Sequence, residues 1–147
     1  PEPLSQVILH IIFSAKNRSS SLSDDIILEI SLTGVNICDQ GWECYRVGGI
    51  SDHVHLLVRQ PRTEKLSDFI GHLKRNSSKW MHSKGEATKG FRQDGYGAFS
   101  IGYSQINSVI DYIDDQKTHH RKMSFQEEYK MVLQKYNVSF DEIYLWD

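Results

Sequence analysis

The chain has 147 residues, 39% of them apolar and 11% aromatic, which suits one domain with a single core. No apolar run approaches the length of a membrane span, and the start, Pro1-Glu2-Pro3-Leu4, has neither the basic region nor the apolar stretch of a signal peptide. The net charge of −2 argues weakly against a nucleic-acid partner, but from Lys65 to Arg92 seven basic side chains stand against two acidic ones, a local surplus of the kind a polyanion site or an ordinary solvated face would carry.

Residues 6–13, Gln-Val-Ile-Leu-His-Ile-Ile-Phe, form a β-branched apolar run that predicts a buried central strand. Residues 14–20, with Asn17 and a serine run, predict a loop. Ser21 followed by Asp24 resembles a capping box. The helix it opens carries Leu22, Ile26, Ile30 and Ile37 on one stripe and stops at Gly41. Cys38 and Cys44 lack a zinc-type spacing and are expected to be reduced structural thiols in a cytoplasmic protein.

Trp42 to Ile50 predicts a second strand, and Ser51-Asp52-His53-Val54-His55-Leu56-Leu57-Val58-Arg59 a third. The few Gly, Ser and Asp residues between them predict an antiparallel hairpin. Alternation along the third strand puts His53 and His55 on one face and Val54, Leu56 and Val58 on the other. Two imidazoles so placed can direct their lone pairs to one point, which is a metal site or the centre of a polar active site. The plainer reading is one solvated histidine and one hydrogen-bonded structural one.

Pro61 ends that strand, and Thr63 is the expected N-cap of a helix over about 64–82. Its apolar stripe is Leu66, Ile70, Leu73 and Trp80. His72, Arg75, Lys79 and His82 fall on a different stripe, an exposed positive face along which a phosphate backbone could lie. Residues 83–95, with Gly85 and Gly90, predict a loop, and Tyr96 to Ile101 a fourth strand. Ser104 is the expected cap of a helix over 105–122, followed after a break near Ser124 by a last helix over 125–136 and a tail that packs back on the body. The order β-α-β-β-α-β is that of an α+β, ferredoxin-like fold. It predicts a four-stranded antiparallel sheet with helices on one face, plus the further C-terminal helix.

On the 105–122 helix, a turn of about 100° per residue gathers Ile106, Val109, Ile110 and Ile113 into a core stripe. Tyr112 and Gln116 are i,i+4 neighbours on its border, His119 lies near them, and His120 falls in the core arc as a structural histidine. A border tyrosine is ordinarily just amphipathic packing.

Taken together, these stretches resemble the HUH single-tyrosine transposases of the smallest bacterial insertion sequences. Asp52-His53-Val54-His55-Leu56-Leu57-Val58 looks like their histidine-hydrophobe-histidine motif, and Tyr112 to Lys122 like their tyrosine helix. Residues 13–18, 74–80 and 95–100 also look similar, so the resemblance covers nearly the whole chain as one domain, 1–147. It implies cleavage and rejoining of single-stranded DNA through a 5′-phosphotyrosine on Tyr112. It further implies a divalent metal, Mg2+ or Mn2+, held by His53, His55 and Gln116. The expected partner is single-stranded DNA with subterminal hairpins, contacted by the His72, Arg75, Lys79 and His82 stripe. A homodimer with shared active sites is also implied and is the expectation, with a site complete in one chain as the open alternative.

Three rival readings are distinct enough to test. A domesticated relative would process repetitive palindromic DNA with the same chemistry. A non-catalytic ferredoxin-like nucleic-acid-binding module would bind without forming an adduct. A zinc hydrolase built on His53 and His55 lacks a third histidine or acidic ligand at convincing spacing.

Overall fold

The computed structural model describes residues 2–14, 41–50, 53–83, 96–116 and 123–145. The helix expected over 21–40, the loop at 84–95, and His119 and His120 lie outside the described residues. Four strands, β1 (Val7–Ser14), β2 (Glu43–Ile50), β3 (His53–Gln60) and β4 (Gly97–Ile101), form one antiparallel sheet in the order β2-β3-β1-β4. This is the ferredoxin-like order, and β2 and β3 form the expected antiparallel hairpin, with Ile50 paired to His53.

Two strands take the centre, β1 and β3, because they are the ones with side chains fit for burial on both faces. Ile8 through Ile12 are buried without a break, as are His53 through Val58. Helix α1 (Leu66–Ser83) covers one face. There Leu9, Ile11, Val54, Leu56 and Val58 pack with Phe69, Ile70, Leu73 and Trp42, whose indole stacks on Phe69 at 4.1 Å. The start at Leu66 falls two residues past the expected position, ordinary scatter for a helix end.

The expected layer of helices on one face is therefore represented by α1, and the tyrosine helix lies on the opposite face. That helix, α2 (Ile106–Asp114), is entered through a 3₁₀ turn, Tyr103–Gln105. The turn is closed by Gln105, whose side-chain oxygen accepts from the Gly102 backbone N–H at 2.9 Å. Ser104 is not the cap, because the chain tightens into the turn before α-helical geometry begins.

Val109 and Ile113 of α2 pack on Ile8 and Leu57, with Ile106 and Ile110 half-buried beside them, so the wheel's core stripe is the packed one. Each such buried side chain contributes roughly 1.5–3 kcal/mol. The half-exposed Arg46–Asp114 ion pair at 3.4 Å contributes about 1 kcal/mol at most, so packing seats this helix.

Helix α3 (Phe125–Lys135) shares that face. Ser124 caps it by accepting from the Glu127 N–H at 3.2 Å, and Phe125, Val132 and Leu133 pack on Ile12 and Phe99. A short helix, α4 (Glu142–Leu145), returns the tail to this cluster through Leu145, as expected, and Lys130 reaches Glu142 at 2.6 Å. Two glycines let α2 and α3 lie close. A Cβ at Gly48 would stand 2.7 Å from Ile113 Cγ2, and one at Gly97 would stand 2.6 Å from the Tyr129 hydroxyl.

Candidate active site

Register decides which side chains meet. His10 pairs with Leu57, Ile12 with His55 and Gly48 with His55 across the sheet. Residues opposite or two apart share a face, so His10, His53 and His55 all point toward α2 and α3. All three are buried, with His53 and His55 fully so. Three imidazoles inside an otherwise apolar layer must find hydrogen-bonding partners, and the two helices supply them.

From α3 comes Glu128, 1% exposed, whose Oε1 lies 3.0 Å from His55 Nε2 and 3.6 Å from His53 Nε2. Just past the end of α2, Gln116 places Oε1 3.0 Å from His53 Nε2. Its own amide nitrogen donates to the Tyr112 carbonyl at 3.3 Å. That bond orients the amide, so its oxygen faces the imidazole. Phe125 stacks on His53 at 4.5 Å and closes the group on the α3 side.

Burial by itself would raise the Glu128 carboxyl, but hydrogen bonds with His53 and His55, reinforced by their charge, outweigh it. The carboxyl is held well below the ordinary range and stays ionised. Tyr112 moves the other way. Burial pushes its phenol up, the charge of Glu128 adds to the rise, and Gln116 opposes it. The Tyr112 ring lies 5.7 Å from that of His55 and 6.2 Å from that of His10, edge-on to both.

His10 completes the polar layer: its Nε2 is 2.8 Å from His55 Nδ1 and its Nδ1 3.3 Å from the Tyr136 hydroxyl. Burial, and then His55, lowers it to about 3, so it is neutral near pH 7.

The donor set fits a divalent cation. One nitrogen each of His53 and His55 and a Glu128 oxygen lie within 4.8 Å of one another. Ligands about 2.1 Å from one ion at right angles are themselves about 3.0 Å apart. The 3.0 Å spacings of His55 to Glu128 and of His53 to Gln116 match that figure. Two imidazoles with carboxylate and amide oxygens suit manganese at least as well as magnesium. Between α2 and α3 a cleft opens beside this group, lined by His10, Ser108, Tyr112, Met131, Lys135 and Tyr136.

Of the residues singled out from the sequence, the fold brings His53, His55, Tyr112 and Gln116 together in one chain. The basic stripe is elsewhere. His72 and Arg75 are exposed on α1, where the Arg75 guanidinium donates to His72 Nδ1 at 3.3 Å, on the sheet face away from the histidines. Lys79 and His82 belong to the same helix, and their side chains lie outside the described residues.

Two residues of the site were missed. His10 is the lone polar side chain in the run from Val7 to Phe13, and Glu128 the lone carboxylate on the stripe of Phe125, Tyr129 and Val132. In each case a single polar residue in an apolar pattern was the available signal. Glu128 is also an acidic side chain able to serve as a third ligand, which spacing along the chain did not reveal.

The same sheet and helices occur in solved transposase structures. One is a protein of Deinococcus radiodurans R1 assigned as a transposase, with a TM-score of 0.60 and 21% identity over 79% of this chain and 95% of that one. Another is a REP-associated tyrosine transposase bound to a REP hairpin, with a TM-score of 0.62 and 15% identity over 82% of this chain and 72% of that one. No curated protein matches the sequence. The family described as "Transposase IS200 like" matches residues 3–116, and the chain belongs to it.

Proposed function

We propose that this transposase cleaves and rejoins single-stranded DNA through a 5′-phosphotyrosine on Tyr112. The observation that carries the reading is the meeting of Tyr112, Gln116, His53 and His55 on one sheet face. The phenol oxygen attacks the scissile phosphorus and the bond to the 3′ oxygen breaks. The phenol loses a proton and the leaving oxygen gains one, so the exchange balances and no nucleotide cofactor is needed. Attack by a 3′-hydroxyl reverses it.

A phenol held above its ordinary pKa by burial and by Glu128 is a poor nucleophile. His53, His55 and Glu128, with the Gln116 oxygen, would hold Mg2+ or Mn2+. When bound there, the cation supplies charge withdrawal from the phosphate and offsets the Glu128 charge that Tyr112 feels. The chain's own part is to hold the phenol beside the imidazoles and to keep water out with Phe125. The cleft lined by Tyr112 and Lys135 is the route for the strand, with the Lys135 ammonium suited to its phosphates.

Single-stranded DNA with a subterminal hairpin is the proposed substrate, and the His72, Arg75, Lys79 and His82 stripe would contact its backbone. The Tyr112 ring lies 5.7 Å from that of His55 within one chain, which supports a site in cis; the expected homodimer with shared active sites is the alternative that mixed variants decide. In cis, a dimer would bring two complete sites to two DNA ends. No described helix is long and apolar enough to cross a membrane, and a DNA substrate is consistent with the expected cytoplasmic location.

The REP-hairpin-bound neighbour favours one second reading, the processing of repetitive palindromic DNA by the same chemistry. Labelled single strands carrying hairpins, incubated with protein and Mn2+ and resolved under denaturing conditions, test the proposal. A metal-dependent covalent adduct is expected. Binding without adduct formation under any metal would leave only a nucleic-acid-binding module.

A further inference from the structure

His10 stands outside the histidine motif, on β1 rather than β3, yet its ring stacks on His55 with centroids 5.1 Å apart. Its Nε2 lies 2.8 Å from His55 Nδ1, the short distance of a direct hydrogen bond. We propose that His10 is a positioning residue that presents His55 Nε2 to the cation, with the Tyr136 hydroxyl at the end of α3 steadying His10 in turn. This rests on the reading of His55 as a metal ligand.

The argument is one of proton placement. A neutral imidazole has one donor and one acceptor nitrogen. If His55 gives its Nε2 lone pair to a cation, its proton is on Nδ1. That N–H points at His10 Nε2, which must then accept. The His10 proton is consequently on Nδ1, 3.3 Å from the Tyr136 oxygen, which accepts it. Each ring has only one arrangement compatible with both neighbours.

Tyr136 is itself held in place. Its ring lies parallel to that of Phe99, 4.8 Å away and 3° from coplanar in tilt. The helix ends immediately after it through Asn137, whose φ of 56° turns the chain away. The relay therefore links the close of α3 to a ligand on the central strand, and α3 also supplies Glu128. Partners that orient a ligating histidine in this way commonly control metal affinity about 10–100-fold.

The test compares manganese affinity by calorimetry in the native protein, His10→Phe and His10→Gln, with His53→Ala/His55→Ala as the site control. Phenylalanine fills the space without an acceptor, whereas the glutamine Oε1 can take the place of His10 Nε2. A loss of about 10-fold or more in His10→Phe, with His10→Gln within about threefold of native, is the expected result. Equal affinity in all three, or equal loss in both variants with unchanged melting, overturns the role of His10 alone. Native protein that binds manganese no better than the double-alanine control overturns the metal site and this inference with it.

Should His10→Phe fail to fold, imidazole nitrogen shifts of the native protein loaded with diamagnetic zinc decide the matter. Protons on Nδ1 of both His10 and His55 are expected. A proton on His10 Nε2 would overturn the relay.

Discussion

The Nε2 of His55 and the Oε1 of Glu128 lie 3.0 Å apart, both fully buried, although 73 residues separate them in the chain. A carboxylate so placed stays ionised only because the two imidazoles face it, and the same arrangement offers one negative and two neutral ligands to a cation. Replacing Glu128 with Gln keeps the shape and removes the charge. Manganese affinity should fall about 10-fold or more, while Tyr112 loses the charge that raises its phenol. Calorimetry on the folded variant checks this, and an unchanged affinity would remove Glu128 from the ligand set.

Tyr112→Phe removes one oxygen from a half-buried ring, so folding and hairpin binding should survive while the covalent adduct disappears. Mixing this variant with His53→Ala/His55→Ala addresses the placement of the site. With sites complete in each chain, the mixture stays inactive even when heterodimers form. Recovered cleavage would instead mean that one chain's tyrosine serves its partner's histidines.

Gln116→Ala deletes the oxygen 3.0 Å from His53 Nε2 and should also weaken manganese binding by about 10-fold. Cleavage should return in part at high manganese, because the imidazoles and Glu128 remain. His119→Ala should leave metal dependence nearly unchanged. A large loss in His119→Ala beside an intact Gln116→Ala would move the ligand one turn along the chain.

Gly48→Ala places a methyl where Ile113 Cγ2 stands 2.7 Å away. Overpacking at such a contact costs about 1–3 kcal/mol, and the helix that must yield is the one carrying Tyr112. Thermal melting should show the loss, and cleavage should fall more than hairpin binding. Native-like melting and native cleavage together would mean that α2 tolerates the shift.

Stability should fall with acid through His10. Its folded value is lowered from 6.5 to about 3, by burial first and by His55 second. The unfolded chain thus takes up a proton below about pH 6.5 that the folded chain refuses until about pH 3, so the stabilisation is complete above 6.5 and drains away through that window. Between pH 7 and 4.5 in chelator, native protein should lose about 2 kcal/mol more than His10→Gln. Denaturant titrations at both pH values measure the difference, and parallel losses would contradict it.

The four strands, the described helices and the pairing of His53 with His55 were legible in the sequence because they rest on local periodicity. Alternation along β3 assigned the two histidines to one face, and the period of 3.6 separated the packed stripe of α2 from the border holding Tyr112 and Gln116. The same patterns, in order along the chain, carried the family resemblance. What they could not assign was the face on which each helix lies. An apolar stripe states that a helix is buried, and β1 and β3, with buried side chains on both sides, leave either surface open to it.

Tertiary structure settled that choice through contacts that depend on exact register and close approach, such as Ile113 over Gly48 and Tyr129 over Gly97. It also recruited His10 and Glu128, which local pattern marked only as polar interruptions in apolar runs. A buried polar group is stable only when partnered. Its partners here come from another strand and another helix, so their pairing exists only once the sheet and both helices have assembled.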